Sequence, residues 1–309
     1  MMKKVKIICL LFLVLASAKW GLAQQDPMFS QYMFNTLSIN PAYAGSADLL
    51  TVNAIYRNQW VNFDGAPVTQ SITAHMPLKK ESLSFGGSII NDSHGAVKQT
   101  GIYGDLSYRI FMDKSRLAFG LKGGVNLFSA NLQDLNPVED DDPAFQANVR
   151  NKALPNFGAG ILWYSQKYYI GLSTPKLLTN KLINSDLPDL AQNKERRHLF
   201  LIGGLVIDVN NYLKFKPTFL VKAVSGAPIS FDITANFLLY EKFWVGAMYR
   251  LQDAAGVLLQ YEVNNKIKVG YAYDYTLSDI GRYSNGSHEI MLGVDFGRKV
   301  GGDKSPRYF

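Results

Sequence analysis

Catalysis needs donors, nucleophiles or ligands that can converge, and this chain offers few. Its four histidines are His75, His94, His198 and His288, and no two have a metal-ligand spacing such as His-x-x-x-His. The single cysteine, Cys9, lies in a leader expected to be removed, so the mature chain is expected to carry no thiolate ligand and no disulfide. Ser287-His288-Glu289 has the residue types of a hydrolytic triad. Neighbouring strand residues point to opposite faces, however, so three in a row on a strand cannot relay a proton. Gly123-Gly124, Gly158-Ala159-Gly160 and Gly203-Gly204 lack a phosphate-cradling fingerprint in a strand–helix setting, and in strands they would relieve crowding or permit bends. The acidic run Glu139-Asp140-Asp141-Asp142 lacks the spaced ligands of an EF-hand and reads as a solvated external loop. No catalytic residue, metal site or cofactor follows from these patterns.

The elements that would position these residues are strands. In Lys266 to Tyr275, the residues Ile267, Val269, Tyr271, Tyr273 and Tyr275 are apolar or aromatic, while Lys266, Lys268, Gly270, Ala272 and Asp274 are small or charged. That period of two gives a strand one greasy face and one polar face. The pattern returns in Leu213 to Lys222, in Ile229 to Leu239, in Glu289 to Phe296 and in Arg116 to Leu127. Counting it along the chain predicts about fourteen strands, over 51–60, 68–78, 83–92, 97–110, 116–128, 153–164, 167–174, 196–208, 212–223, 229–240, 242–250, 255–263, 266–275 and 287–297. Most are long enough to cross the apolar slab of a membrane when tilted, and an even number suits a single-chain bacterial barrel.

The connections carry a second signal. Every second turn is short, as at Lys79-Lys80-Glu81, Met112-Asp113-Lys114, Ser165-Gln166, Val209-Asn210-Asn211, Glu241 and Asn264-Asn265. The turns between them are usually longer, as at 129–152, 175–195 and 276–286. Short periplasmic turns alternating with longer external loops are expected of an outer-membrane barrel, and an even strand count puts both termini in the periplasm. Tyr164, Tyr168, Tyr169, Tyr212, Tyr240, Phe243 and Trp244 gather near the short turns and predict an interfacial girdle. Lys214, Lys216, Lys222, Arg109, Lys122, Arg250, Asp232, Glu262, Asp274 and Asp295 should face the lumen. Their mixed signs suit either a lumen closed by ion-pair networks or a weakly selective channel. A soluble β-sandwich also alternates, but it calls for shorter strands and no alternation of loop length.

Lys3, Lys4 and Lys6 followed by the apolar run Ile7 to Ala16 and by Gly21-Leu22-Ala23 mark a secretion leader, residues 1–23, cut after Ala23. Loss of Lys3, Lys4, Lys6 and Lys19, with no acid, takes the net charge from +7 to +3. That is too little to imply a nucleic-acid partner. After the leader no apolar run reaches the length of a spanning helix.

One block follows no strand pattern. It is Gln25-Asp26-Pro27-Met28-Phe29-Ser30-Gln31-Tyr32-Met33-Phe34-Asn35, then Asn40-Pro41-Ala42-Tyr43-Ala44-Gly45. It resembles the N-terminal hallmark of the PorP/SprF family of type IX secretion system membrane proteins. Tyr56-Arg57-Asn58-Gln59-Trp60, Tyr283-Ser284-Asn285-Gly286-Ser287-His288-Glu289 and Pro306-Arg307-Tyr308-Phe309 resemble the family too. The family often has Pro where Thr36 or Leu37 stands here.

The resemblance implies a non-enzymatic outer-membrane component of type IX secretion. Its partners would be other secretion components and a large surface adhesin, received or retained through the adhesin's C-terminal domain, often in gliding bacteria. Outer-membrane lipid would surround it. On this basis Asp26, Pro27, Phe29, Tyr32, Phe34, Asn35, Asn40, Pro41, Tyr43 and Gly45 are candidates for partner binding or for plugging the lumen, and Tyr283, Gly286, His288 and Glu289 are a motif of the last external loop. The expected organisation is a periplasmic or plug segment at 24–50, a transmembrane barrel at 51–297 and a periplasmic tail at 298–309. Residues 26–45 are too irregular for a lipid-facing strand, so they fold into the periplasmic mouth or lumen, or dock in the periplasm. The competing functions are a general solute channel and a membrane hydrolase, and no Ser or His with a partner near the rim supports the latter.

Overall fold

The computed structural model describes residues 26–79, 81–134, 148–182 and 194–297. The leader, the acidic run at 139–142 and the tail at 298–309 lie outside the described residues. The strands are β1 (Leu50–Asn58), β2 (Val68–Pro77), β3 (Leu83–His94), β4 (Val97–Phe111), β5 (Arg116–Ala130), β6 (Val149–Tyr164), β7 (Tyr168–Thr174) and β8 (His198–Leu205). They continue with β9 (Ile207–Asn210), β10 (Leu213–Val224), β11 (Ser230–Leu239), β12 (Phe243–Arg250), β13 (Ala254–Glu262), β14 (Ile267–Thr276) and β15 (Ser287–Phe296). Each pairs antiparallel with its sequence neighbour, except that β8 and β9 both pair with β10 as two halves of one crossing interrupted at Val206. Pairing of β1 with β15, from Leu50 opposite Phe296 to Asn58 opposite His288, closes the ring. The result is a closed barrel of fourteen crossings.

Alternation decides which face each residue takes. Ile72, Phe85, Ile89, Leu106, Phe119 and Leu121 stand outward, and Leu121 is 64% exposed. On an isolated soluble protein so much continuous apolar surface would be a liability; around a closed barrel it is the band that meets lipid. Among the described residues no helix is long and apolar enough to cross a membrane, so the strands make the crossing.

All six connections at one end of the barrel are short, while three at the other are long: between β5 and β6, between β7 and β8, and between β14 and β15. The asymmetry is not complete, because β3 and β4 are joined at the long-loop end by Gly95 and Ala96 alone.

The aromatic girdle divides in two. Tyr168, Tyr212, Tyr240 and Phe243 face out or partly out, and the Tyr212 and Tyr240 rings lie 5.6 Å apart. Tyr164, Tyr169 and Trp244 are buried on the inner face, contrary to their expected place in the girdle. Tyr168-Tyr169 and Phe243-Trp244 are neighbours on a strand, so one of each pair must point inward whatever its hydrophobicity. Nor is the inner face wholly polar. Leu162, Ile202, Leu220, Met248 and Leu258 are buried there, because something apolar fills the space they line.

Candidate functional site: a strap through the lumen

That filling is the chain's own residues 26–49. Met28, Tyr32, Met33, Leu37, Ala42 and Ala44 are buried and form one apolar cluster with wall residues of β5, β6, β7, β8, β10, β12, β13 and β14. Two short 3-10 turns, Thr36–Ser38 and Pro41–Tyr43, keep the segment compact. Asn40 caps the second: its Oδ1 accepts from Ala42 N at 2.9 Å, and Pro41 follows as a first residue that has no amide to satisfy.

The segment runs the length of the lumen. Asp26, the first described residue, stands at the long-loop end, between Lys176 Nζ at 2.6 Å and His198 Nδ1 at 3.0 Å. Lys176 follows β7 and His198 opens β8, so one carboxylate joins both sides of the β7–β8 connection. Burial alone would raise the Asp26 carboxyl, but Lys176 and His198 outweigh it and hold the group well below the usual carboxylate range. Burial lowers and Asp26 raises the Lys176 ammonium, and the net is a lysine held above its ordinary value. Deeper in, Phe29 packs with Ile55 and Met291, the Tyr32 hydroxyl lies 3.1 Å from Thr218 Oγ1, and the Phe34 ring meets Trp244 edge-on at 5.8 Å. Thr73 donates to Asn35 Oδ1 at 2.7 Å, and Asn40 Nδ2 donates to the Ile161 carbonyl at 3.2 Å. At the short-turn end Tyr43 packs edge-on to His75, and the Gly45 amide donates to His75 Nδ1. Gly45 has φ +75, and a Cβ there would overlap Ser84. Asp48 completes the exit, where Arg109 donates to it at 2.7 Å and also to the Gly45 carbonyl.

Three stretches that are far apart in sequence meet at the outer half of the strap. The amides of Ser30 and Gln31 both donate to the Glu289 carboxylate at 2.9 Å. Arg57 donates to Glu289 at 3.1 Å, to Asp274 at 2.8 Å and to Ser30 Oγ at 2.7 Å, and Ser30 Oγ donates in turn to Asp274. Arg57, Asp274 and Glu289 are all buried. Charges this far from bulk water persist only when paired and hydrogen-bonded, so the strap backbone completes the coordination of Glu289.

The last-loop motif separates in the structure. His288 and Glu289 lie on β15 rather than in a loop. Glu289 faces the strap, while His288 faces outward against the Tyr271 hydroxyl at 2.7 Å, so Ser287-His288-Glu289 forms no relay. Gly286 hydrogen-bonds through its carbonyl to the Val61 amide, tying the loop to the β1–β2 connection, and Tyr283 is 72% exposed, away from the lumen. Pro27 lines a cavity beside the strap. Sequence reasoning did not find Ser30 and Gln31 as partners of Glu289, nor Arg57, Lys176 and His198 as anchors. Arg57 and Glu289 each sat inside a family-like stretch, which was the available signal; Lys176 and His198 had none.

Wall glycines also belong to the site. A Cβ on Gly120 would overlap the backbone of Pro41 and Ala42, and one on Gly160 would overlap the Asn40 side chain. The strap lies so close to β5 and β6 that only hydrogen fits there. Among the described residues no group of His, Cys, Asp and Glu could hold a metal ion.

Residues 21–294 match the family model described as type IX secretion system membrane protein PorP/SprF. No curated protein matches the chain. Among solved structures, the Acinetobacter baumannii outer membrane protein Omp33 is 8% identical with a TM-score of 0.48, over 81% of this chain and 100% of that one. A Pseudomonas aeruginosa FadL homologue is 13% identical with a TM-score of 0.43, over 87% and 94%. The KdgM porin is 9% identical with a TM-score of 0.37, over 80% and 99%.

Proposed function

The chain belongs to the PorP/SprF family of type IX secretion system membrane proteins, and from that membership we propose a non-enzymatic outer-membrane barrel, closed by its own N-terminal strap, that supports export or surface anchoring of a large adhesin-like protein. Its long loops face outward and receive the exported partner's C-terminal domain. Its short turns face the periplasm and meet other type IX secretion components, and outer-membrane lipid covers the apolar band. Such a barrel serves gliding or adhesion.

The observation that carries this reading is the meeting of Ser30, Gln31, Arg57 and Glu289, drawn from three family-like stretches, on a segment that fills the lumen. A general solute channel would need that space open. A rim built on such a plugged wall presents a surface, which is what an anchor requires.

Deleting the gene is expected to remove one large protein from the cell surface while the rest of the outer membrane stays intact. An unaltered surface proteome would overturn the proposal. In planar bilayers the intact protein is expected to pass no large steady current, and removal of residues 26–45 to open one.

A further inference from the structure

Beside the long-loop half of the strap the described residues leave part of the lumen open. A cavity of about 70 Å³ lies between Phe29 and Ile39 of the strap, the inner wall of β3 to β5, and Phe200 of β8. Its wall residues sit in the long-loop half, since Ile90 pairs with Gly101, Asp92 with Gln99 and Gly101 with Asn126 near the outer ends of their strands. Gly101 adds no side chain, and the ring of Tyr103 lies against it to form the wall.

The charges around the cavity are answered from within the protein. Lys122 pairs with Asp105 at 2.9 Å and Lys176 with Asp26 at 2.6 Å, while Asp92 accepts from Thr69 at 2.6 Å. Lys122 and Lys176 therefore ask no counter-charge of a guest, and Asp92 is already hydrogen-bonded. What the wall leaves unanswered is neutral. Tyr103 is 8% exposed, and its hydroxyl has no hydrogen-bond partner among the described residues. Nearby, Asn126 Nδ2 donates to Gln99 Oε1 at 2.9 Å and to Glu195 Oε1 at 3.2 Å, which leaves Gln99 Nε2 as donor and Asn126 Oδ1 as acceptor.

The remaining lining, Phe29, Ile39, Ile90 and Phe200, is apolar. A neutral guest with an apolar body and amide-like groups fits this pattern. The ladders of β3 to β5 run unbroken beside the cavity, so this side of the wall offers an acyl chain no path from the bilayer. Its volume suits a single side chain and is far too small for a folded domain.

We infer that this cavity receives an apolar or aromatic side chain from an extended stretch of exported polypeptide, whose main chain is met by Tyr103, Gln99 and Asn126. The inference rests on the secretion role proposed above, and it names what the long-loop face recognises: a short unfolded segment rather than a folded surface.

The test places the photocrosslinker p-benzoylphenylalanine at Gln99 of the full chain in native cells, with a second copy of the experiment at the exposed Tyr283 as control. The expected adduct at position 99 maps by mass spectrometry to one segment of an exported protein that contains an apolar or aromatic residue. Ile90→Trp, which fills the space, is expected to lower that yield about tenfold. Tyr103→Phe, which keeps the packing, is expected to lower it about fivefold. Both should leave the heat-resistant mobility of the folded barrel unchanged. An adduct to lipid or glycan, no adduct, or equal yields from both variants would overturn the cavity assignment. Lost surface display on gene deletion together with no peptide adduct at position 99 would sink this inference alone, whereas unaltered display would sink the secretion role itself.

Discussion

The two halves of the strap are held by different physics. At the outer end, Asp26 to Gln31 is fixed by charge: Lys176, His198, Arg57, Asp274 and Glu289 converge on one short stretch of backbone and two side chains. Between Leu37 and Ala44 no ion pair takes part. That stretch is fixed by fit, against a wall thinned to glycine at Gly120 and Gly160 and lined by Ala118, Leu162 and Tyr164. Charge anchors are strong when complete and costly when halved, and they respond to protonation. Steric fit does neither. The outer end is therefore the part that a partner or a change of conditions can release, while the middle stays put unless the wall changes.

Removing the centre of the charged end should have the largest effect. Arg57→Met leaves Asp274 and Glu289 buried without their cation, and a loss of about 3–5 kcal/mol is expected, read from the urea midpoint of the protein in micelles. Chymotrypsin should then cut at Phe29, Tyr32 or Phe34, since the strap carries no Lys or Arg for trypsin. Unchanged protection there would show that charge does not hold this end.

Gly120→Leu attacks the other half and should cost about 1–3 kcal/mol by pushing the backbone of Pro41 and Ala42 off β5. Cleavage should now appear at Tyr43 while Phe29 stays protected. If both sites open together, the two halves are one cooperative unit and the contrast fails.

Asp26→Asn is expected to cost about 1–3 kcal/mol, because Lys176 loses its near carboxylate and keeps only Glu195 at 3.9 Å. A carboxyl held below its ordinary value stabilises fully above about pH 4 and loses that contribution as pH falls through its folded value. A lysine held above its ordinary value stabilises fully below about pH 10 and loses it as pH rises further. The contributions of Asp26 and Lys176 to the protection of Phe29 should therefore be flat from about pH 5 to 9 and fall beyond either side. In the Asn variant the loss on the acid side should shrink to what Asp274 and Glu289 contribute. Tyr32→Phe, which removes only the contact with Thr218, is the smallest, at about 1 kcal/mol in the same urea measurement.

The outer wall was legible residue by residue. Each predicted strand lies within a few residues of an observed one, from Val68–Pro77 against 68–78 to Ser287–Phe296 against 287–297. The exception is the eighth, split at Val206 and shifted in register further on, where Asp208 lies opposite Lys214 but Asn210 opposite Leu213. A slip of one residue in pairing leaves no mark on hydrophobic alternation within either strand. Tyr164, Tyr169 and Trp244 were misplaced for a related reason: aromatic type says that a residue suits an interface, and only strand parity says which side it faces.

The strap was legible as an exception rather than as a structure. Its run of polar and aromatic residues fits no period, which marked it as something other than a lipid-facing strand. Its partners could not be read there.

Period two along the strands and alternation of turn length are local properties, set by neighbours a few positions apart. They determined by themselves a closed, lipid-facing antiparallel barrel, because facing lipid or water is a choice each strand makes from its own side chains. What fills that barrel was decided only in three dimensions. Ser30 lies 259 positions from Glu289 and 27 from Arg57. Nothing in the spacing of such residues tells which acid will find which amide, since closing the ring is what brings them within reach.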